Sequence, residues 1–100
     1  MKNSLVSVII ATKNEEKNIE RCLKSIKKQN YIGNIEVIVV DNYSADQTIK
    51  IAKKYTRNVF LFGPERSAQR NLGAKKARGE WLLFLDADME ASANLISECS

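Results

Sequence analysis

The chain has 100 residues, of which 44% are hydrophobic and 28% are charged, and its formal net charge is +4. This length predicts one domain with a single modest core, and this balance of apolar and charged residues excludes a disordered chain. Apolar runs such as residues 37–40 and 82–85 are far shorter than the roughly 18 residues of a membrane span. The N-terminus lacks a signal-like segment, so we expect a cytoplasmic protein.

The excess of positive charge has two explanations. Lysines and arginines concentrate at residues 17–28 and 66–78, which fits an anionic partner such as a diphosphate, lipid headgroups or nucleic acid. Solvated helix faces alone would account for most of these lysines. We expect a diphosphate and no nucleic acid, and we keep open a peripheral association of a longer parent enzyme with the inner face of the membrane.

The first strand leads directly into the first helix. Residues 6–11 are rich in β-branched side chains and have the length of a buried parallel strand. Asn14, with two glutamates behind it, is suited to cap a helix that runs to about residue 29. One apolar stripe of this helix would face the sheet: Ile19, Cys22, Leu23 and Ile26. Gly33 and Asn34 then end the unit.

The second unit repeats this pattern. Residues 35–40 predict another buried strand, which ends on Asp41. Ser44 and Gln47 have the spacing of a capping box, so a second helix is expected to start there. The residues expected on its inner face are Thr48, Ile51, Ala52 and Tyr55.

The rest of the chain predicts two more strands, each followed by a helix. Residues 59–62 form a short strand closed by Gly63 and Pro64, and Ser67 opens a helix that ends at residue 77, before Gly79. Residues 81–85 predict a fourth buried strand. Ser92 is suited to cap a last helix, with an inner face of Leu95, Ile96 and Cys99. Without a secretory signal, both cysteines are expected to be reduced.

The element order βαβαβαβα predicts an α/β fold with a Rossmann-like parallel sheet. In such sheets ligands bind outside the carboxyl ends of the strands, near the point where the strand order switches. Polar residues that would not be expected in a hydrophobic core follow the strands at these ends: Thr12, Asn14, Glu15, Asp41, Asp86 and Asp88. We therefore expect them to converge on one crevice.

Asp86 and Asp88 are the candidate metal ligands. In extended backbone two residues that are two positions apart point to the same face, so both carboxylates could approach one hard cation. Mg²⁺ or Mn²⁺ held by one or two carboxylates usually completes its shell with phosphate oxygens, which points to a diphosphate ligand. Alternatively, Asp86 begins a turn and Asp88 is merely solvated.

Two further features favour a nucleotide ligand. Asp41 ends the second strand, where nucleotide-binding α/β folds place an acidic residue that receives donors from the ribose or base. Arg66 and Arg70 lie one turn apart near the start of the third helix, whose dipole attracts anions. The alternatives are an acidic turn residue that caps the second helix and an ordinary surface pair of arginines.

Four segments together resemble the family-2 glycosyltransferases. They are residues 6–16 (VSVIIATKNEE), 39–48 (VVDNYSADQT), 70–73 (RNLG) and 77–88 (ARGEWLLFLDAD). The resemblance implies a GT-A type fold that binds a UDP- or GDP-sugar, with Asp41 at the base and Asp86 and Asp88 near the metal and diphosphate. It also implies that Arg70 lies beside the nucleotide, and that the nucleotide pocket is lined by Thr12, Asn14 and Glu15.

The sequence departs from the family pattern in two residue types and in length. Ala11 replaces a proline common at the end of the first strand, and Asn42 and Tyr43 follow Asp41 where acidic or glycine residues are frequent. The family's catalytic domain is more than twice as long and places its general base beyond the acidic pair. We therefore interpret residues 1–100 as the donor-binding part of an inverting enzyme, with the base beyond residue 100 and an unknown acceptor.

Two other functions fit the sequence less well. A nucleotidyltransferase would need a glycine-rich phosphate loop with a basic residue after the first strand, where Lys13, Asn14 and Glu15 stand instead. A non-catalytic nucleotide-binding or regulatory module of the receiver type would need an acidic pair in that place. Thr12 and Lys13 occupy it.

The resemblance also predicts self-association. In the family's sheet the fourth strand is flanked by strands that this chain does not contain, so residues 81–85 would form an apolar edge. We expect this edge, or the helices beside it, to pair two copies of the chain around a two-fold axis.

Overall fold

The computed structural model describes residues 4–29, 31 and 33–89. Strands and helices alternate along this part of the chain, as the sequence predicts. They are β1 (Val6–Thr12), α1 (Ile19–Lys27), β2 (Ile35–Asp41), α2 (Thr48–Lys53), β3 (Val59–Leu61), α3 (Arg66–Lys76) and β4 (Trp81–Asp86). The predicted last helix, with Ser92, Leu95, Ile96 and Cys99, lies outside the described residues.

The strands form one parallel sheet in the order β3-β2-β1-β4. The chain moves outward from β1 through β2 to β3, and β4 then pairs with the other side of β1. The strand order therefore switches between β1 and β4, where Ala11 is paired with Asp86. On the other side of β1, Thr12 is paired with Asp41. This register brings the predicted site residues to one end of the sheet, which we call the carboxyl edge.

Helices cover both faces of the central strand β1. On one face Val6, Val8 and Ile10 pack against the stripe of α1, and all four residues predicted for that stripe are buried. On the other face Ile9 packs with Leu72 of α3. Both faces of β1 are therefore apolar, which explains why its sequence shows a continuous buried run rather than an alternating one.

α3 lies unusually close to β1. A Cβ atom built on Gly73 would lie 2.4 Å from Cγ2 of Ile9, a distance that a real side chain cannot adopt. Glycine at this position lets the helix backbone rest directly on the strand. This close contact with Ile9 is one determinant of the position of α3 over the sheet.

The predicted helix starts are wrong for α1 and α2, and α3 starts one residue early. Asn14 has a left-handed φ of 52° and lies in the loop before α1, whose N-cap is Asn18. Gln47 is the N-cap of α2, whereas the hydroxyl group of Ser44 donates to Asp41 Oδ1 at 2.6 Å. The polar groups expected to cap helices instead bond between loops, and these tertiary contacts outweigh the local capping preference. α3 begins at Arg66 instead of Ser67.

Glu36 forms a buried polar network in β2, away from the carboxyl edge. Its Oε2 accepts hydrogen bonds from the Ser7 hydroxyl at 2.7 Å and from the backbone N–H of Arg78 at 2.9 Å. Its Oε1 accepts from Arg78 Nε at 3.0 Å. Burial acts to raise the pKa of Glu36, but the hydrogen bonds from Arg78 and Ser7 outweigh it and hold the pKa below the ordinary 4.5.

This network predicts a specific loss of stability in acid. The pKa of Glu36 is lower in the folded state than its ordinary value. The contribution of Glu36 to folding stability is therefore present above pH 4.5 and is lost as the pH falls through the folded-state pKa. We expect Glu36→Gln to lower the free energy of unfolding by about 1–3 kcal/mol at pH 7, and we expect this difference to shrink toward pH 3. Urea unfolding at several pH values measures both. A difference that stays constant with pH would contradict the assignment.

β4 exposes apolar side chains on both of its faces. Within the described residues its one strand neighbour is β1. Trp81, Leu82 and Phe84 are 49%, 44% and 43% exposed, respectively. The predicted strand at residues 81–85 is present, but the prediction that it is buried is wrong except at Leu85, because in the described part of the molecule β4 lies at the edge of the sheet.

Two sequence-based expectations concern the whole chain. In the described part, no helix has both the length and the apolar character needed to cross a membrane. Cys22 is a free, buried thiol, as predicted, and Cys99 lies outside the described residues.

Candidate functional site

The carboxyl edge brings together the residues that the sequence singled out. Thr12, Asp41 and Asp86 are the last residues of β1, β2 and β4. Arg70 reaches the same edge from α3, and Asn14 and Glu15 lie in the loop after β1. Two pairs form within the set, because Thr12 bonds to Asp41 and Arg70 bonds to Asp86.

Asp41 is completely buried and fully engaged with its own loop. Its Oδ1 accepts from the hydroxyl groups of Thr12 and Ser44, each at 2.6 Å. Its Oδ2 accepts from the backbone N–H of Ser44 at 2.7 Å. The residue stabilises the turn after β2 and does not cap α2, so the capping alternative is wrong.

The loops that follow β1 and β2 are joined side by side. The backbone N–H of Asn14 donates to Ser44 Oγ at 2.7 Å, and Asn14 Oδ1 accepts from the backbone N–H of Ala45 at 2.8 Å. The backbone N–H of Glu15 donates to Thr48 Oγ1 at 2.7 Å. These bonds hold the two loops against each other at the carboxyl edge.

Tyr43 stands out at the tip of the loop after β2. Its φ of 48° is in the left-handed region, which is uncommon for an aromatic residue, and its side chain is 60% exposed. Strained backbone of this kind is often found where a protein binds a ligand. The exposed ring therefore offers an apolar surface beside Asp41.

Two guanidinium groups hold Asp86. Arg66 Nη1 lies 3.0 Å and Arg70 Nη2 lies 3.3 Å from the same oxygen, Asp86 Oδ1. The three side chains are between 39% and 47% exposed. Ion pairs this accessible to water contribute about 0–1 kcal/mol, so the arginines can exchange Asp86 for another anion at little cost.

Asp88 lies in a turn and not in extended backbone. The backbone N–H of Met89 donates to the carbonyl oxygen of Asp86 at 2.9 Å, and β4 ends at Asp86. The expectation that the two carboxylates share a strand face is therefore wrong, because the chain turns immediately after Asp86. Burial, and then the charges of Asp88 and Asp86, raise the pKa of the Cys22 thiol to about 11.

The acidic pair fits a hard cation only in part. Among the described residues no group of three or more acidic, histidine or cysteine side chains could enclose a metal ion. Asp88 is exposed and Asp86 is partly exposed, so both present oxygen ligands to solvent. A cation held here would take its remaining ligands from water or from a phosphate group, as Mg²⁺ commonly does.

Gln69 is a site residue that the sequence did not reveal. It is buried on α3, and its Nε2 donates to the carbonyl oxygens of Thr12 and Val40. Its one sequence signal is its position four residues before Gly73, on the helix face that rests against β1. Nothing in that spacing indicates a bond to the ends of two strands.

A cleft of about 770 Å³ lies at the opposite end of the sheet. Its lining includes Leu5, Tyr31, Ile35, Asn58 and Arg78, and none of the predicted site residues. In parallel α/β sheets ligands bind at the carboxyl ends of the strands. The cleft is therefore distinct from the candidate site.

Comparison with known proteins identifies the family. The family model for glycosyl transferase family 2 matches residues 7–99. The chain belongs to glycosyl transferase family 2. The poly(ribitol-phosphate) beta-N-acetylglucosaminyltransferase TarS of Staphylococcus aureus is 40% identical over 92 residues, which are 82% of this chain and 16% of TarS. The glycosyltransferase AglE of Haloferax volcanii is 41% identical over 91 residues, which are 83% of this chain and 30% of AglE.

Solved structures of this family have the same fold. The crystal structure of S. aureus TarS 1-349 in complex with UDP-GlcNAc superposes on 99% of this chain and 30% of that one, with a TM-score of 0.81 and 36% identity. The mannosyltransferase PcManGT from Pyrobaculum calidifontis, in complex with GDP-Man and Mn²⁺, superposes with a TM-score of 0.73 and 30% identity. The superposition covers 83% of this chain and 27% of PcManGT. The predicted GT-A fold is thus confirmed, and the chain spans less than a third of each of these proteins.

Proposed function

We propose that the carboxyl edge binds a nucleoside-diphosphate sugar together with a divalent cation, and that residues 1–100 are the donor-binding part of a glycosyltransferase. The arginine pair on Asp86 supports this most directly, because it places two cations beside a carboxylate at the switch in strand order. The ligands of the similar structures, UDP-GlcNAc in TarS and GDP-Man with Mn²⁺ in PcManGT, add support.

The diphosphate side of the site consists of the acidic pair and the arginines. We assign Asp86 and Asp88 to Mg²⁺ or Mn²⁺, a cation that would neutralise charge on the diphosphate leaving group. Arg70, and with it Arg66, would leave Asp86 and donate to phosphate oxygens, since guanidinium groups bind phosphate through paired hydrogen bonds. Because these ion pairs are weak, this exchange costs little.

The nucleoside side consists of the two joined loops. Thr12, Asn14, Glu15 and Asp41 would line the pocket. Asp41 would reach the base or ribose by giving up one of its bonds from Thr12 or Ser44 for a donor on the ligand. The exposed ring of Tyr43 would lie beside this pocket.

The transfer itself needs groups that we place outside these residues. Direct displacement at the anomeric carbon inverts its configuration and requires a base that takes the proton of the acceptor hydroxyl group. We assign this base, and the acceptor site, to the part of a longer enzyme that the relatives have and this chain does not span. We place that enzyme in the cytoplasm, and we keep open its peripheral association with the inner face of the membrane.

Thermal unfolding with nucleoside diphosphates tests the proposed function. UDP or GDP at 100 times its dissociation constant is expected to raise the Tm by about 10 °C when Mn²⁺ or Mg²⁺ is present. Without a divalent cation the shift should be much smaller. Inorganic phosphate with Mn²⁺ is the control for a general anion effect. Equal shifts with and without the cation would contradict the metal assignment, and no shift with either nucleotide would contradict donor binding by this chain.

The exposed edge strand predicts self-association of the 100-residue chain. Pairing two copies of β4, or the helices beside it, around a two-fold axis would cover Trp81, Leu82 and Phe84 on both. Light scattering over a tenfold dilution series should show a dimer that dissociates. Leu82→Lys should shift the equilibrium toward monomer, because a charge on an edge strand opposes pairing. A wild-type monomer at every concentration would contradict this prediction.

A further inference from the structure

The amide of Gln69 links three elements of the carboxyl edge. The residue is 3% exposed, and its Nε2 donates to the carbonyl oxygen of Thr12 at 3.0 Å and to that of Val40 at 2.7 Å. These carbonyl groups belong to β1 and β2, whereas Gln69 belongs to α3. Both protons of one amide group are thereby used to tie a helix to the ends of two neighbouring strands.

The rest of α3 places this link next to the charged part of the site. Arg66 precedes Gln69 by three residues and Arg70 follows it directly, and both guanidinium groups reach Asp86 Oδ1. One turn further along, Gly73 rests against Ile9 of β1. The helix turn that carries both arginines is therefore held at two points, by hydrogen bonds at Gln69 and by close packing at Gly73.

The carbonyl groups that Gln69 binds lie on the nucleoside side of the site. Thr12 bonds through its hydroxyl group to Asp41, and Val40 immediately precedes Asp41. The two carbonyl groups that Gln69 binds thus flank the Thr12–Asp41 pair. One side chain spans the distance between the buried carboxylate of Asp41 and the helix that carries the arginines.

We propose that Gln69 is a positioning residue for the donor site: it sets the distance between the arginines of α3 and the Thr12–Asp41 pair. This inference rests on the proposed function, in which Asp41 contacts the nucleoside and the arginines contact the diphosphate. A nucleoside diphosphate spans a limited distance between its base and its phosphates, so both ends bind well only when the helix is correctly placed over the strands.

The alternative is that Gln69 has a purely structural role. The hydrogen bonds of Gln69 allow a substitution that distinguishes this role from positioning of the donor site. The carbonyl oxygen of Thr12 also accepts from the backbone N–H of Asn42 at 2.9 Å, so it keeps a partner without Gln69. Replacing the amide with an apolar side chain of similar length therefore removes the link while the packing is largely kept. A positioning role predicts a loss of ligand affinity that exceeds what the loss of stability explains.

The test compares Gln69→Met with Ser7→Ala. Ser7 is a matched control, because it is also buried and its hydroxyl group also makes two hydrogen bonds, with Glu36 and Gly79, away from the carboxyl edge. At a temperature where circular dichroism shows each protein fully folded, titration calorimetry measures the affinity for UDP and GDP with Mn²⁺. Gln69→Met should bind the nucleotide that wild type prefers at least tenfold more weakly, and Ser7→Ala should bind within twofold of wild type.

A second readout does not need the nucleotide. The guanidinium resonances of Arg66 and Arg70 in ¹⁵N-labelled protein report their pairing with Asp86. They should move toward free-arginine values in Gln69→Met and stay unchanged in Ser7→Ala. Unchanged resonances, or wild-type affinity in Gln69→Met, would overturn the inference. If wild type binds neither nucleotide, the proposed function fails, and the resonances alone decide the role of Gln69.

If Gln69→Met does not fold, Gln69→Glu takes its place. A protonated carboxyl group donates one hydrogen bond and a carboxylate donates none. The arginine resonances of Gln69→Glu at pH 7 should therefore lie nearer to free-arginine values than those of wild type. Resonances identical to wild type at that pH would overturn the inference.

Discussion

Asp88→Asn is expected to weaken Mn²⁺-dependent binding of UDP or GDP at least tenfold while leaving the fold unchanged. Asp88 is exposed in the turn after β4, and the structure gives its side chain no hydrogen bond within the described residues. The substitution therefore removes one anionic oxygen ligand from the proposed cation without disturbing the packing. Titration calorimetry with and without Mn²⁺ measures the effect.

A control variant separates loss of a ligand from loss of charge. Glu80→Gln makes the same change in net charge at an exposed position before β4, at the opposite end of the strand. It should bind the nucleotide as wild type does. If Asp88→Asn and wild type have equal affinities in the presence of Mn²⁺, the assignment of Asp88 to the metal is wrong.

Asp41→Ala is expected to lower both stability and nucleoside affinity. Three hydrogen bonds to its buried carboxylate would be lost, and the hydroxyl groups of Thr12 and Ser44 would be left without this partner. Removing one partner of such a network costs roughly 3 kcal/mol, which corresponds to about 12 °C or more in Tm for a domain of this size. Uridine and guanosine should bind more weakly even without metal, because Asp41 is assigned to the base or ribose.

Asp46→Asn is the matched control for Asp41. Asp46 is a partly exposed carboxylate in the same loop, where it accepts from the backbone N–H groups of Thr48 and Glu16. Its substitution should lower stability less and leave nucleoside affinity unchanged. Equal nucleoside affinity in Asp41→Ala and wild type, measured where both are folded, would limit the role of Asp41 to the loop.

The strands and the location of the site could be predicted because their signals are local. The runs that form β1 and β2 are largely apolar on both faces, and such runs are typical of strands buried between helices. The apolar run of β4 predicted the strand but not its exposure at the edge of the sheet. The polar residues that follow each run then fall at the carboxyl edge in any parallel arrangement. Thr12, Asp41 and Asp86 can be predicted as site residues in this way.

The helix starts could not be predicted because their determinants are distant in sequence. Asn14 and Ser44 have side chains suited to capping, yet they bond to each other's loops about 30 residues away. A capping preference of about 1 kcal/mol is easily outweighed by several such bonds. Local sequence carries no information about which loop will lie beside which.

The ion pairs within the site also could not be predicted from the sequence. The positions of Arg66 and Arg70 on α3 indicated an anion, but the anion in this structure is Asp86, which is 16 residues beyond Arg70. The position of Gln69 four residues before Gly73 did not indicate its hydrogen bonds to two strand ends, because a glutamine on a helix is usually exposed. Both features follow from how α3 lies over β1, where Gly73 rests directly on Ile9.

The position of bound Mn²⁺ tests most directly whether the carboxyl edge is the donor site. Mn²⁺ is paramagnetic, so with UDP or GDP present it broadens the amide resonances of nearby residues in ¹⁵N-labelled protein. Binding at the carboxyl edge predicts that Ala87 and Asp88 broaden first, followed by Arg70 and the loop after Asp41, while Tyr31 and Asn58 in the opposite cleft stay sharp. Broadening centred on that cleft, or spread evenly over the surface, would contradict the proposed site.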